Sequence, residues 1–118
     1  MTKMKAAVAS TDGKIINQHF GHAEQFLIFD LSQPDPRFIE LRRCLPICGT
    51  SGRPGHSEDA MEERVRLIGD CRAVICSRIG YGMQRKLADR GIRPVEAADF
   101  IETALRRLMG NRLDGDIR

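Results

Sequence analysis

The sequence predicts one α/β domain, a mixed five-stranded sheet flanked by helices. Three observations predict it. Short runs of β-type residues fill the first third of the chain with no helical period between them. From about residue 57 onward, helical periodicity alternates with apolar runs of strand length. The 118 residues amount to one ordinary domain, long enough to bury a core without disulfide or metal staples.

The elements follow in order. Lys5 to Ser10 is a short apolar run stopped by Asp12-Gly13, a strand and its turn signal. Glu24 to Leu31 is rich in β-type residues and predicts a second strand. Pro34 and Pro36 mark a turn, and Arg37 to Cys44 alternates as a third strand, completing an antiparallel meander. Leu45 to Gly55 is dense in Pro, Gly, Ser and Thr, a loop at the long end of what compact domains use. Ser57 is an N-cap with Glu58 and Asp59 in the first turn, and Met61, Val65 and Ile68 carry a helix to about Gly69. Arg72 to Ser77 is a buried strand. Gly80 and Gly82 make a turn, and Met83 to Arg90 is a short helix ending on Gly91. Ile92 to Ala97 is the last strand, bent by Pro94. Asp99 to Met109 is the final helix, with Phe100, Ala104, Leu105 and Leu108 on one face. Residues 110–118 read as a frayed polar tail. The order is β-β-β-α-β-α-β-α over a core of about 5–109. The alternating second half calls for right-handed crossovers and parallel pairing.

Composition excludes several classes. With 42% hydrophobic and 30% charged residues the chain is globular rather than disordered. No apolar run approaches the roughly 20 residues needed to span a bilayer, and no leader is evident. A cytoplasmic location and free thiols are therefore expected, with no membrane partner. Cys71 and Cys76 fall at or within an apolar strand pattern and read as small core residues. The net charge of +3 is mild, there is one Tyr and no Trp, and the arginines are scattered. That is a solvated surface rather than a nucleic-acid site. No exposed apolar stripe argues for a dimer, so the oligomeric state stays open.

Two segments carry residues suited to chemistry. Asn17-Gln18-His19-Phe20-Gly21-His22 places two imidazoles three residues apart on a loop between the first two strands. Neutral imidazole is a common transition-metal ligand, and Asn17 is placed to orient a ring. The plainer alternative is that His19 bonds within the turn while Phe20 plugs the core. Cys44-Leu45-Pro46-Ile47-Cys48 lacks the spacing of zinc ribbons or cluster cysteines. Its thiols, with His56 at the helix start, are open to three readings: a metal site, a reversible disulfide, or two unrelated cysteines. Arg78-Ile79-Gly80-Tyr81-Gly82 follows a strand and opens a helix as a phosphate loop would, but turn geometry explains it more simply. Asp12, Asp30, Asp70 and Glu96 near strand ends are the carboxylates a two-metal hydrolase would need. No nucleophile elbow or Ser-His-Asp set is visible.

Residues 7–26 (Ala-Val-Ala-Ser-Thr-Asp-Gly-Lys-Ile-Ile-Asn-Gln-His-Phe-Gly-His-Ala-Glu-Gln-Phe) closely resemble the opening of the dinitrogenase iron–molybdenum cofactor-binding family, that of NifX- and NafY-type carriers and the C-terminal domain of NifB. The resemblance continues through Asp70 to Cys76, Ile79 to Gly82, Leu87, and Gly91 to Val95, from about Lys5 to Met109. The Asn-Gln-His-Phe-Gly-His element is its most specific part. It implies a ribonuclease H-like fold, which says nothing of nuclease activity. It implies binding and carriage of an iron–sulfur-type metallocofactor, the nitrogenase iron–molybdenum cofactor or its precursor, by a stand-alone carrier that is not an enzyme. His19 would be the ligand, with His22 assisting and Asn17, Phe20 and Gly21 completing the element. Cofactor-assembly proteins or apo-dinitrogenase would be the partners. The chain departs from the family where many members carry a Gly- and His-rich loop; Cys44, Cys48 and His56 stand there instead. Two other functions follow from the residues alone: a thiol- or metal-responsive module using Cys44, Cys48 and His56, and a Mg²⁺-dependent hydrolase using Asp12 and Asp30.

Overall fold

A computed structural model describes residues 4–44 and 58–115. The described residues form five strands: β1 (Lys5–Ala9), β2 (Gln25–Asp30), β3 (Arg37–Arg43), β4 (Ala73–Cys76) and β5 (Arg93–Glu96). They also form three helices, α1 (Glu58–Leu67), α2 (Tyr81–Asp89) and α3 (Ile101–Gly115), and a 3-10 turn at Phe20–His22. The sheet order is β3-β2-β1-β4-β5. β1, β2 and β3 form the expected antiparallel meander, while β1-β4 and β4-β5 are parallel.

The sheet separates two cores because side chains alternate along each strand. Ala7, Ala9, Phe26, Ile28, Val74 and Cys76 pack with Val65 of α1, Ile68 just past its end and Leu87 of α2. Ala6, Val8, Leu27 and Ile75 pack on the opposite face with Ile101, Ala104, Leu105 and Leu108 of α3. β4 lies between two parallel neighbours, β1 and β5, and is covered on both faces. Its Ala-Val-Ile-Cys run is therefore wholly buried and carries no polar alternation. β3 is an edge strand, exposing Phe38 and Leu41, and it is irregular opposite Ile28 and Phe29. Pro94 falls on the other edge strand, β5, where a missing N–H costs least.

The end of the chain differs from expectation. The final helix begins at Ile101 and continues to Gly115, where sequence predicts a polar tail from 110. Gly110 costs the helix about 1 kcal/mol relative to Ala, but no proline interrupts the turns that follow. Composition alone marked that stretch as tail, and polar residues continue a helix readily once apolar contacts at Leu105 and Leu108 anchor it. α2 likewise starts two residues early, at Tyr81, with Gly80 as its N-cap.

Candidate functional site

β1, β4 and β5 are parallel, so their carboxyl ends share one edge, the edge at which open α/β sheets receive ligands. The loop leaving β1 there is built on its own polar side chains. Ser10 is buried; its hydroxyl donates to the Ile15 carbonyl (2.6 Å) and accepts from the Gly13 N–H (3.0 Å). Asp12 Oδ1 accepts from the N–H groups of Lys14 (2.8 Å) and Ile15 (3.1 Å), which hold its carboxyl below the ordinary value. Gly13 takes φ +78°, a conformation that favours glycine. Asn17 Oδ1 accepts from the Thr11 N–H (3.1 Å), and its amide donates to Thr11 Oγ1 (2.8 Å). The Asn17 side chain thus closes the loop instead of orienting a ring.

Beyond Asn17 the chain runs beside the exit of β4. The Ser77 N–H donates to the Gln18 carbonyl (2.9 Å) and the Phe20 N–H to the Arg78 carbonyl (3.0 Å), so His19 forms a parallel bridge with Arg78. Phe20 is 1% exposed and packs on Phe26 with ring centroids 5.8 Å apart. Its ring belongs to the core. The flanking imidazoles do the opposite: His19 and His22 are both exposed and stack, centroids 5.7 Å apart and planes 14° apart. The buried Phe20 anchors the turn, and the 3-10 geometry brings His22 back against His19, its N–H donating to the His19 carbonyl (3.1 Å). Gly21 lets α1 approach. A Cβ there would lie 2.7 Å from the Met61 methyl.

The start of α2 borders the same edge. Glu96 accepts from the Ile79 N–H (2.8 Å) and the Gln84 amide donates to the Ile79 carbonyl (3.0 Å), which fixes the turn leaving β4. A Cβ on Gly80 or Gly82 would meet nothing within 4 Å, so the backbone there is bare and open. Arg78 and Tyr81 are exposed beside it.

Other predicted residues go elsewhere. Cys44 is half-buried; its N–H donates to the Glu24 carbonyl (2.9 Å), and burial pushes its thiol up, against the pull of the Arg64 guanidinium. Cys48 and His56 lie outside the described residues. Among the described residues no group of three or more His, Cys, Asp or Glu could hold a metal ion, so Cys44 does not join His19 and His22 in one. Cys71 and Cys76 are core thiols, as expected; burial pushes Cys71 up to about 12 and Cys76 higher still. The hydrolase carboxylates do not converge. Asp12 follows the end of β1, Asp30 pairs with Lys5 at its beginning, Asp70 is ion-paired, and Glu96 is occupied by Ile79. One residue escapes the sequence reading: Arg64 of α1, buried on the Met61–Val65–Ile68 stripe that runs along α1 and just past its end. An arginine three residues after Met61 and one before Val65, inside an apolar stripe, is the signal that finds it.

These features define a small α/β domain with a paired-imidazole turn at the carboxyl edge of its sheet. The chain belongs to the dinitrogenase iron-molybdenum cofactor family, whose model matches residues 2–111. It is similar to the FeMo cofactor biosynthesis protein NifB of Azotobacter vinelandii, 41% identical over 75% of this chain and 18% of that protein. It is also similar to protein NifY of Klebsiella pneumoniae, 34% identical over 80% of this chain and 38% of that one. The chain thus spans about a fifth of that NifB. Among solved structures it resembles the crystal structure of PH0822, with a TM-score of 0.67 and 19% identity over 92% of each chain, a likeness of fold.

Proposed function

We propose that this domain binds and carries an iron–sulfur-type metallocofactor, the nitrogenase iron–molybdenum cofactor or its precursor, with His19 as protein ligand and no catalytic step of its own. Family membership supports the cargo class. The observation that carries the ligand assignment is the His19–His22 pair: two exposed, stacked imidazoles on a turn whose backbone is bound to Ser77 and Arg78. A neutral ring nitrogen is a suitable donor to an iron site, and a fixed backbone lowers the entropy lost on binding. The open Gly80–Gly82 backbone at the N-terminus of α2 leaves unsatisfied N–H groups near His19, favourable to an anionic sulfide cluster. Few protein ligands suit a carrier, because release needs few bonds broken, whereas a closed four-cysteine cage retains its cluster. Cofactor-assembly proteins or apo-dinitrogenase are the proposed partners, in the cytoplasm, and the sheet plan is taken as ribonuclease H-like.

The test is an anaerobic titration of the apo-protein with isolated cofactor or its iron–sulfur precursor, read by visible absorption and iron stoichiometry. Wild type should saturate, and His19→Ala should bind about tenfold more weakly or worse, about 1.4 kcal/mol, while remaining folded. Undiminished affinity in that variant removes His19 as ligand.

A further inference from the structure

Arg64 is 5% exposed, and arginine is almost never so buried unless its donors are met. Its Nε and Nη2 both donate to the Ala23 carbonyl, at 3.2 and 2.8 Å. Ala23 closes the 3-10 turn, its own N–H donating to the Phe20 carbonyl (3.3 Å). Met61, three residues earlier and on the same helix face, lies over Gly21. α1 therefore grips the turn at two points, one on each side of His22. An apolar side chain at position 64 would continue the Met61–Val65–Ile68 stripe without the desolvation cost of a guanidinium. What the guanidinium adds, among the described residues, is a fixed hold on the Ala23 carbonyl. That carbonyl ends the only described segment carrying histidine, one residue past His22.

We infer that Arg64 is a positioning residue for the imidazole pair: by holding the Ala23 carbonyl from α1 it fixes His22 against His19, and so sets the geometry offered to the cargo. The effect on affinity rests on the proposed ligand role of His19. The effect on ring geometry does not.

Arg64→Met and Arg64→Lys are compared with wild type in the full chain. Fold is followed by circular dichroism and amide NMR, ring geometry by the nuclear Overhauser effect between the His19 and His22 ring protons. Affinity is read in an anaerobic titration with a thiolate-capped iron–sulfur cluster. Arg64→Met should stay folded, lose the inter-ring effect, and bind the cluster about tenfold more weakly, the low end of what outer-shell partners of a ligand cost. Arg64→Lys restores a single donor and should fall between Arg64→Met and wild type in both readouts. A folded Arg64→Met with wild-type ring signals and affinity overturns the inference, since Arg64 would then only fill the core. Should Arg64→Met fail to fold, Arg64→Lys decides: a weakened ring signal sustains the inference, and wild-type signals with wild-type affinity overturn it. If wild type takes up no cluster, the carrier reading fails while the ring signals still judge Arg64.

Discussion

The two ends of the sheet handle polarity in opposite ways. At the amino edge, charges neutralise one another. Asp70 accepts from Lys5 Nζ (3.0 Å) and from Arg42 Nη1 and Nη2 (2.6 and 3.0 Å), and Arg42 also reaches Glu40 and the Leu67 carbonyl. Hydrogen bonds from Arg42 and Lys5 hold the Asp70 carboxyl well below the carboxylate range, and the Asp70 and Glu40 carboxylates in turn raise Arg42. At the carboxyl edge the backbone is equally well bonded, through Gln18, Phe20, Ser77 and Arg78, and the Asp12, Asn17 and Glu96 side chains are hydrogen-bonded, but the side chains of His19, His22 and Arg78 are left exposed. Among the described residues His19 and His22 make only each other's ring contact, and the Arg78 side chain has no hydrogen bond or ion pair. An edge whose polar groups are satisfied stabilises the fold. One whose backbone is fixed while its donors stay free is preorganised for something else to bind.

Breaking the anchor between core and site should have the largest effect. Phe20→Ala empties a fully buried ring site and should cost about 3–5 kcal/mol in denaturant unfolding. Because Phe20 lies between the two imidazoles, cluster binding should fall with it. His19→Ala sharpens the contrast: stability should change by less than about 0.5 kcal/mol, as for other exposed positions, while cluster affinity drops. Asp70→Asn tests the amino edge, where about 1 kcal/mol should be lost at neutral pH and low salt, with cluster affinity unchanged. The folded-state value of Asp70 is depressed, so its contribution is present above the ordinary 3.8 and fades as pH falls below it. Wild type and Asp70→Asn should therefore converge in stability in acid, and a gap that widens there contradicts the ion-pair account. The smallest effect belongs to Tyr81→Ala, since that ring is 77% exposed: unfolding should shift by about 0.5 kcal/mol or less.

Most of the fold was legible because period and punctuation are local. The all-apolar run at Ala73 to Cys76 marks a strand covered on both faces, and Asp12-Gly13 and Gly91 mark turns, both glycines taking positive φ. The helix over residues 110–115 was not legible, because a polar composition does not distinguish a free tail from a helix already anchored upstream. In the site, the histidines were visible as a motif, but the division of labour within it was not. Phe20 fills the core, as the plainer reading of the run had it, but Asn17 and Gly21, in the same short run, close a loop and admit Met61.

By itself the sequence determined the element order, the antiparallel first half and parallel second half, the core thiols, and the segment bearing the imidazoles, all properties of neighbouring residues. Tertiary structure alone decided that the His19 backbone would be bound to Arg78, fifty-nine positions away, and that Arg64 of α1 would hold Ala23. Those contacts join residues remote in the chain, and their energies depend on burial and distance, which no local pattern encodes.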